Sequence, residues 1–279
     1  GGGGADTLRG GGGADSLAGD GGDDVFIFAG TADVSAGDAV DGVSGTDTVL
    51  VTATTDLTGV TFANLDAVTL SDGVTATFTG AQISGQAWAV SGVSGGGTET
   101  LAVTAASGTS VSLASLTGLT HLAITLTGAG GDETLTGSSA ADRITGGLGA
   151  DSLTGGGGAD VFVYVGAQSG ITEATADVIG DFGAGDSLSL GLAGDSTAGT
   201  GNYVEAGAAV ADFAAALAAA NTALATLNGT SAASQLYAFE FDGTKGYLFA
   251  DLDSDGLADQ VIILTGVAST GIAASDIVV

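Results

Sequence analysis

A large apolar residue returns every nine positions at Leu8, Leu17 and Phe26, and again at Leu135, Ile144, Leu153 and Phe162. The intervals between them are polar and rich in glycine. Aligned on that period, the opening reads GGGGADTLR, GGGGADSLA and GDGGDDVFI. A later block, from Gly128 to Val163, reads GAGGDETLT, GSSAADRIT, GGLGADSLT and GGGGADVFV. All seven approximate G-G-x-G-x-D-x-U-x, where U is the large apolar residue. The first six residues predict a turn, and the last three predict a short strand with U pointing inward. Two phrases then complete one coil of eighteen residues in a parallel roll. A glycine-rich flexible linker is the other reading, and it leaves the apolar residue at every eighth place of the phrase without a cause.

Residues 31–127 keep the rhythm without the glycines. GVSGTDTVL, from Gly42 to Leu50, is a degenerate phrase with Asp47 at the sixth place. After it come VLVTA, AVTLS, TATFT, AWAVS, LAVTA, SVSLA and LAITLT, each strand-like by composition and alternation. LDAVTL from Leu65 and LTHLAI from Leu119 share a pattern 54 residues apart, which reads as three coils of eighteen. No proline interrupts a strand ladder, so one parallel solenoid is the economical interpretation, its central rungs held by threonine-rich packing. Farther on, Val210, Phe213, Leu217, Leu224 and Leu227 follow three-and-four spacing up to Asn228-Gly229. That spacing predicts the one substantial helix, either docked on a core or offered to a partner. The expected fold class is all-β: a parallel β-roll or β-solenoid with a β-rich C-terminal cap containing one helix. The expected divisions are a first roll at 1–30, a Thr/Ala/Val-rich solenoid at 31–127, a second roll at 128–165 and a cap at 166–279.

Charge sharpens the picture. Thirty-two acidic residues face three basic ones, Arg9, Arg143 and Lys245, for a formal net charge of -29 at pH 7. Nucleic acid and anionic membrane surfaces repel such a chain. Self-repulsion opposes compaction unless cations neutralise it, and divalent cations are the natural candidates. The absence of cysteine excludes disulfides and thiolate zinc sites. The most apolar long stretch, AAVADFAAALAAANTALATLNG, is mostly alanine and does not read as a transmembrane segment. The chain starts inside a repeat and without methionine, which points to a C-terminal fragment or a processed product, and no cleavable N-terminal signal is visible.

The phrase itself supplies candidate metal ligands. Glycine permits the bend, alternate carbonyls of an extended turn face opposite ways, and carboxylates eighteen residues apart stack on one edge. In the first block the candidates are Gly1, Gly2, Gly4, Asp6, Gly10, Gly11, Gly13, Asp15, Gly19, Gly22 and Asp24, followed by Asp47. In the second they are Gly128, Gly131, Glu133, Asp142, Gly146, Gly147, Gly149, Asp151, Gly155, Gly156, Gly158 and Asp160. Asp6 is expected beside Asp24, and Asp142 beside Asp160. Two carboxylates and several carbonyls around one hard cation make calcium-like coordination. GSSAADRIT lacks three of the glycines and GAGGDETLT carries Glu133 at the sixth place, so weaker binding or none is expected there. Near the end, YLFADLDSDGLADQVIILTG sets Asp251, Asp253, Asp255, Gly256 and Asp259 in the D-x-D-x-D-G order of a calcium loop. Position twelve is Ile262 and strands flank the loop, so it is no EF-hand; a metal loop and an acidic hairpin turn are both open readings.

These nonapeptides resemble those of the RTX family, whose repeats form a calcium-filled parallel β-roll. The resemblance implies several calcium ions as cofactors. ADVIGDFGAGD resembles the segment that closes the roll in RTX proteases, with the pattern D-x-I-x-D-F-x-x-G-D, and this implies metal-binding roles for Asp177, Asp181 and Asp186. Ordinary surface aspartates are the alternative. The closing DIVV resembles the acidic-then-apolar end that RTX proteins present to the type I secretion apparatus. That apparatus is thus an implied partner, the cap an implied secretion-signal region, and the extracellular space or cell surface the implied location.

No catalytic constellation accompanies these features. His121 is the only histidine, so H-E-x-x-H is impossible and it reads as a rung or surface residue. GVSGG, from Gly92 to Gly96, matches G-x-S-x-G around Ser94, but no helix follows and Glu99 is the only acid before His121, so a glycine-serine loop is expected. Three roles stay in view: an S-layer-type structural protein that assembles with copies of itself, an adhesin module, and the calcium-folding secretion tail of a larger enzyme. The Thr/Ala/Val-rich stretch between two rolls and the scarcity of lysine favour the first.

Overall fold

The computed structural model describes residues 1–279 apart from 198–199, 206 and 268–271. The chain divides into two compact units. One comprises residues 1–106, 111–126 and 138–140, and the other 107–110, 127–137 and 141–279. The fold is a strand-dominated parallel roll and solenoid with a β-rich cap.

In the first unit, Thr7–Leu8, Val25–Phe28, Thr48–Val51, Ala67–Leu70, Ala89–Gly92 and Thr117–Thr120 form one parallel sheet. Its register stacks Phe26, Val49, Val68 and Val90, all fully buried, and beside them Phe28, Val51 and Leu70. The alternation of the sequence therefore becomes an inward apolar column on each strand. Fully burying each such side chain is worth about 1.5–3 kcal/mol. A second parallel set holds Thr55–Asp56, Thr75–Thr79 and Glu99–Thr104, and a third holds Ser16–Ala18, Ala39–Asp41 and Thr61–Ala63. Phe62, Phe78 and Trp88 meet between these layers with ring centroids 5.7–6.1 Å apart. The interior is thus aliphatic and aromatic. Thr48, Thr69, Thr75, Thr77 and Thr79 occupy the outer, half-buried face, so threonine packing is not what holds the central rungs.

Coil length also departs from the expected eighteen. Ala67 pairs with Ala89 and Ala89 with Thr117, so these coils run 22 and 28 residues. Leu65 and Leu119 are therefore separated by two coils rather than three. Extra residues are absorbed in the turns, including the single helical turn Gly80–Ile83, which Thr79 and Gln82 cap reciprocally.

In the second unit, Thr134–Thr136, Ser152–Thr154, Asp177–Ile179 and Gln260–Thr265 form a parallel run. Lys245–Asp251 and Leu236–Phe241 extend it antiparallel, and Tyr203–Glu205 completes the sheet. On the other side of the roll lie Asp142–Thr145, Val161–Val163, Ser187–Ser189 and Ile277–Val278, all parallel. The long helix runs Phe213–Asn228, and Asp212 caps it by accepting from the Ala215 N–H at 2.9 Å. It docks on a core rather than standing free. Ala216, Ala220 and Leu224 are its buried line against Leu236, Ala238, Phe249 and Ile263, while Val210, Phe213, Leu217 and Leu227 flank that line half-buried. No helix among the described residues is long and apolar enough to cross a membrane.

Candidate metal centre

The acidic residues of the phrases form ladders. In the first unit the Asp6 N–H donates to Asp24 Oδ1 at 2.8 Å, the Asp24 N–H to Asp47 Oδ1 at 3.0 Å, and the Asp47 N–H to Asp66 Oδ2 at 2.8 Å. A second edge joins the Asp15 N–H to Asp38 Oδ1 at 2.8 Å. The second unit repeats the device. Glu133 N–H donates to Asp151 Oδ1 at 2.8 Å and Asp151 N–H to Asp177 Oδ1 at 2.9 Å. On the opposite edge Asp142 N–H donates to Asp160 Oδ1 at 2.8 Å and Asp160 N–H to Asp186 Oδ1 at 3.0 Å.

Asp24, Asp151 and Asp177 each use one carboxylate oxygen for this bond and keep the other buried. Oδ2 of Asp6, Asp15, Asp24, Asp151 and Asp177 is buried without a hydrogen-bond partner. Such an atom is costly to bury unless a cation completes it. The first glycine of the phrase makes room for it. A Cβ on Gly1, Gly10, Gly19, Gly146 or Gly155 would collide with the Oδ2 of its own phrase, and one on Gly19 or Gly128 would also strike the carbonyl of Gly42 or Gly146 in the next coil. The second and fourth places have another task. Gly2, Gly4, Gly11, Gly13, Gly22, Gly147, Gly149, Gly156 and Gly158 take φ between 82 and 133°, where a side chain is disfavoured. Carboxylate oxygens and peptide carbonyls converge with no Cβ between them. That donor set fits a hard, oxygen-seeking cation of the calcium type.

Electrostatics point the same way. Burial, as the largest cause, lifts Asp151 and Asp160 to about 6 and Asp177 to about 7, and it raises Asp47 as well. Neighbouring carboxylates add to each shift. Two of the three basic residues are engaged elsewhere, Arg9 with Asp33 and Lys245 with Glu173.

Residues 1–34 and 127–162 match the family profile of RTX calcium-binding nonapeptide repeats, in four copies. These segments are RTX repeats. They bind calcium, and repeats of this kind belong in general to calcium-binding proteins exported by the type I route. No curated protein matches the chain.

Beyond the repeats, Asp177, Asp181 and Asp186 all bond to the roll of the second unit, Asp177 buried, Asp186 half-buried and Asp181 at its surface. Asp177 and Asp186 are ladder rungs, and Asp181 accepts from the N–H groups of Gly155 and Gly156, both at 2.8 Å. Glu133 differs from the aspartates. Its Oε1 accepts from Gly108 N–H at 2.6 Å and its Oε2 from Ala129 N–H at 3.2 Å, so backbone donors engage both oxygens. Asp142 keeps its ladder place although its turn lacks the glycines. Near the C-terminal hairpin, Asp251, Asp253 and Asp259 bring carboxylate oxygens within 4.8 Å of one another. Asp255 stands outside that trio and caps Leu257 N–H. Asp251 accepts from Ser254 and Gly256, and Asp259 from Leu252, so this loop is also a network of turn-closing bonds.

Two rungs escaped the sequence reading, Asp38 and Asp66. The signal for them is present. Asp24-Val25-Phe26, Asp38-Ala39-Val40, Asp47-Thr48-Val49 and Asp66-Ala67-Val68 all keep acid, any residue, then buried apolar residue, even where the glycines are gone.

Proposed function

We propose that this chain is a calcium-dependent extracellular structural protein of the S-layer type, exported unfolded and assembled with copies of itself once calcium is met. The observation that carries the reading is the outer face of the first unit. In-register pairs there join Thr75 to Thr100, Thr79 to Thr104 and Thr69 to Ser91. They give the outer sides of two sheets small uncharged side chains that another copy can approach closely. Lysine, which discourages strand edges from pairing, occurs in the chain only at Lys245. Calcium in the ladders lowers the like-charge repulsion between copies.

No catalytic role is assigned. Ser94 is exposed in an irregular loop between Ala89–Gly92 and Glu99–Thr104, where a nucleophile would need a strand-to-helix turn. One observation favours a second reading, the secretion tail of a larger protein: Ile277–Val278 closes the sheet that contains Ser187–Ser189, so the end segment is built into the calcium-folded roll. Electron microscopy and scattering decide between them. Ordered arrays in millimolar calcium, absent in magnesium, are expected; persistent monomers in calcium would transfer preference to the adhesin or secretion-tail role.

A further inference from the structure

Within the repeat-free solenoid, the buried carboxylate of Glu99 has an oxygen without a partner. Glu99 is 1% exposed, and its Oε1 accepts no hydrogen bond. Arg9, the only Lys or Arg in the first unit, is held by Asp33 at 2.8 Å and leaves Glu99 without a Lys or Arg counter-charge from that unit. Glu99-Thr100-Leu101, with Leu101 fully buried, has the acid-x-apolar order of the ladder rungs.

The surroundings of Glu99 copy a rung cradle. A Cβ on Gly42 would meet Asp47 Oδ2 and the carbonyl of Asn64 in the next coil. A Cβ on Gly92 would meet the Glu99 side chain and the carbonyl of His121 in the next coil. Gly92 therefore stands to Glu99 and His121 as Gly42 stands to Asp47 and Asn64. The backbone extends the parallel, because Asn64 and His121 each directly follow a strand, Thr61–Ala63 and Thr117–Thr120, and take left-handed φ values of 50° and 52°. That conformation is unfavourable for a residue other than glycine, and its recurrence marks a requirement on where the carbonyl lies. Gly97 N–H donates to Asp72 Oδ1 at 2.7 Å, which sets a second carboxylate at the loop. Gly95, Gly97, Thr98, Glu99 and His121 line an open cleft of about 210 Å³.

We propose that Glu99 and the His121 carbonyl, brought together over Gly92, form an additional site for a hard divalent cation of the calcium type within the repeat-free solenoid. An anionic oxygen and a peptide carbonyl suit such an ion, and the ion supplies a counter-charge where no Lys or Arg of this unit is free to do so.

Equilibrium dialysis of calcium against the whole chain tests this, with parent, E99Q and D24N compared. E99Q should bind one ion fewer while keeping the parent's circular dichroism in saturating calcium. D24N reports on the repeat ladder separately, so failure of one site leaves the other measurable. Unchanged stoichiometry in a folded E99Q overturns the proposal. Carbon-13 labelling of the five glutamate carboxyls gives a reading that does not depend on E99Q folding. The Glu99 carboxyl signal, assigned through its loss in E99D, should move as calcium is added; a signal that calcium leaves unmoved overturns the proposal.

Discussion

Asp6 and Asp24 are joined across one full coil, with the Asp6 N–H bound to Asp24 Oδ1 at 2.8 Å while both Oδ2 atoms remain buried and unbonded. The two oxygens of Asp24 thus have separable tasks. Asparagine keeps an acceptor for Asp6 N–H but loses the charge offered to the ion. Asp24→Asn is expected to raise the calcium midpoint of folding about tenfold, on the order of 1.4 kcal/mol. Asp24→Ala also orphans the Asp6 N–H, which costs roughly 1–3 kcal/mol more. Calcium titrations followed by circular dichroism check both; equal midpoints for Asn and the parent would deny Asp24 a ligand role.

Position within a ladder should grade the effect. Asp160 accepts from Asp142 N–H and donates its own N–H to Asp186, so it is an interior rung. The turn before Asp142 reads Gly137, Ser138, Ser139, Ala140, without the glycines that take positive φ in the turns before Asp151 and Asp160. Asp160→Asn should therefore raise the calcium midpoint several-fold more than Asp142→Asn does. Matching midpoints for the two variants would remove the link between glycine-rich turns and calcium strength.

Much of this was legible because the nonapeptide spends one residue on each physical task. Phe26 and Phe162 announce the inward strand, Gly19 and Gly155 the close approach of carboxylate oxygen, and Asp24 and Asp160 the ladder. Asp38 and Asp66 were hidden because their turns are not built on the repeat's glycines, leaving only the spacing to the buried Val40 and Val68. The coil lengths around Ala89 were equally hidden. Hydrophobic alternation fixes which side of a strand faces inward, but it is silent on how many residues a turn takes up between strands. The helix was readable by spacing, although its most buried line runs through Ala216 and Ala220, residues too small to stand out in an alanine-rich stretch.

The raised carboxylates give the chelated protein an inverted pH response. Asp151 and Asp160 at about 6, and Asp177 at about 7, lie above the ordinary value of about 3.9. The folded state therefore holds protons that the unfolded chain has lost. Their contribution is fully present below about pH 4 and disappears as pH rises through 6 to 7. In chelator, acidification from pH 7.5 to 5 should shift the chain toward the folded state. Calcium needs the ionised form, so in its presence the calcium midpoint should worsen over the same interval. Thermal melts across pH with and without calcium measure this, and a chelated protein that loses stability on acidification would show that these groups are not burdened by burial.

Gly149 combines both demands on a repeat glycine, with φ 133° and a position where a Cβ would collide with the Gly131 carbonyl of the neighbouring coil. Gly149→Ala should cost roughly 1–3 kcal/mol in calcium-loaded stability. Gly207→Ala is the control, because a Cβ there meets nothing within 4 Å and its φ is not positive. Denaturant melts in millimolar calcium should separate the two, and equal stability would mean that the coils shift apart freely.

The C-terminal segment should be shielded only when the roll is folded. Ile277 pairs with Leu188 and is 1% exposed, Val278 pairs with Ser189, and the Val278 carbonyl accepts from Leu190 N–H at 3.2 Å. Val279 is 79% exposed. The strand that receives this pair begins at Ser187, directly after Asp186, whose Oδ1 holds Asp160 N–H. Calcium at the ladder is thereby linked through one covalent step to the sheet that covers the segment. Carboxypeptidase needs extended, unpaired chain, so in calcium it should remove Val279 and then stall, whereas in chelator it should continue through Ile277. Trimming that proceeds equally fast in both conditions, followed by mass spectrometry, would break the link between the ladder and the terminal strand.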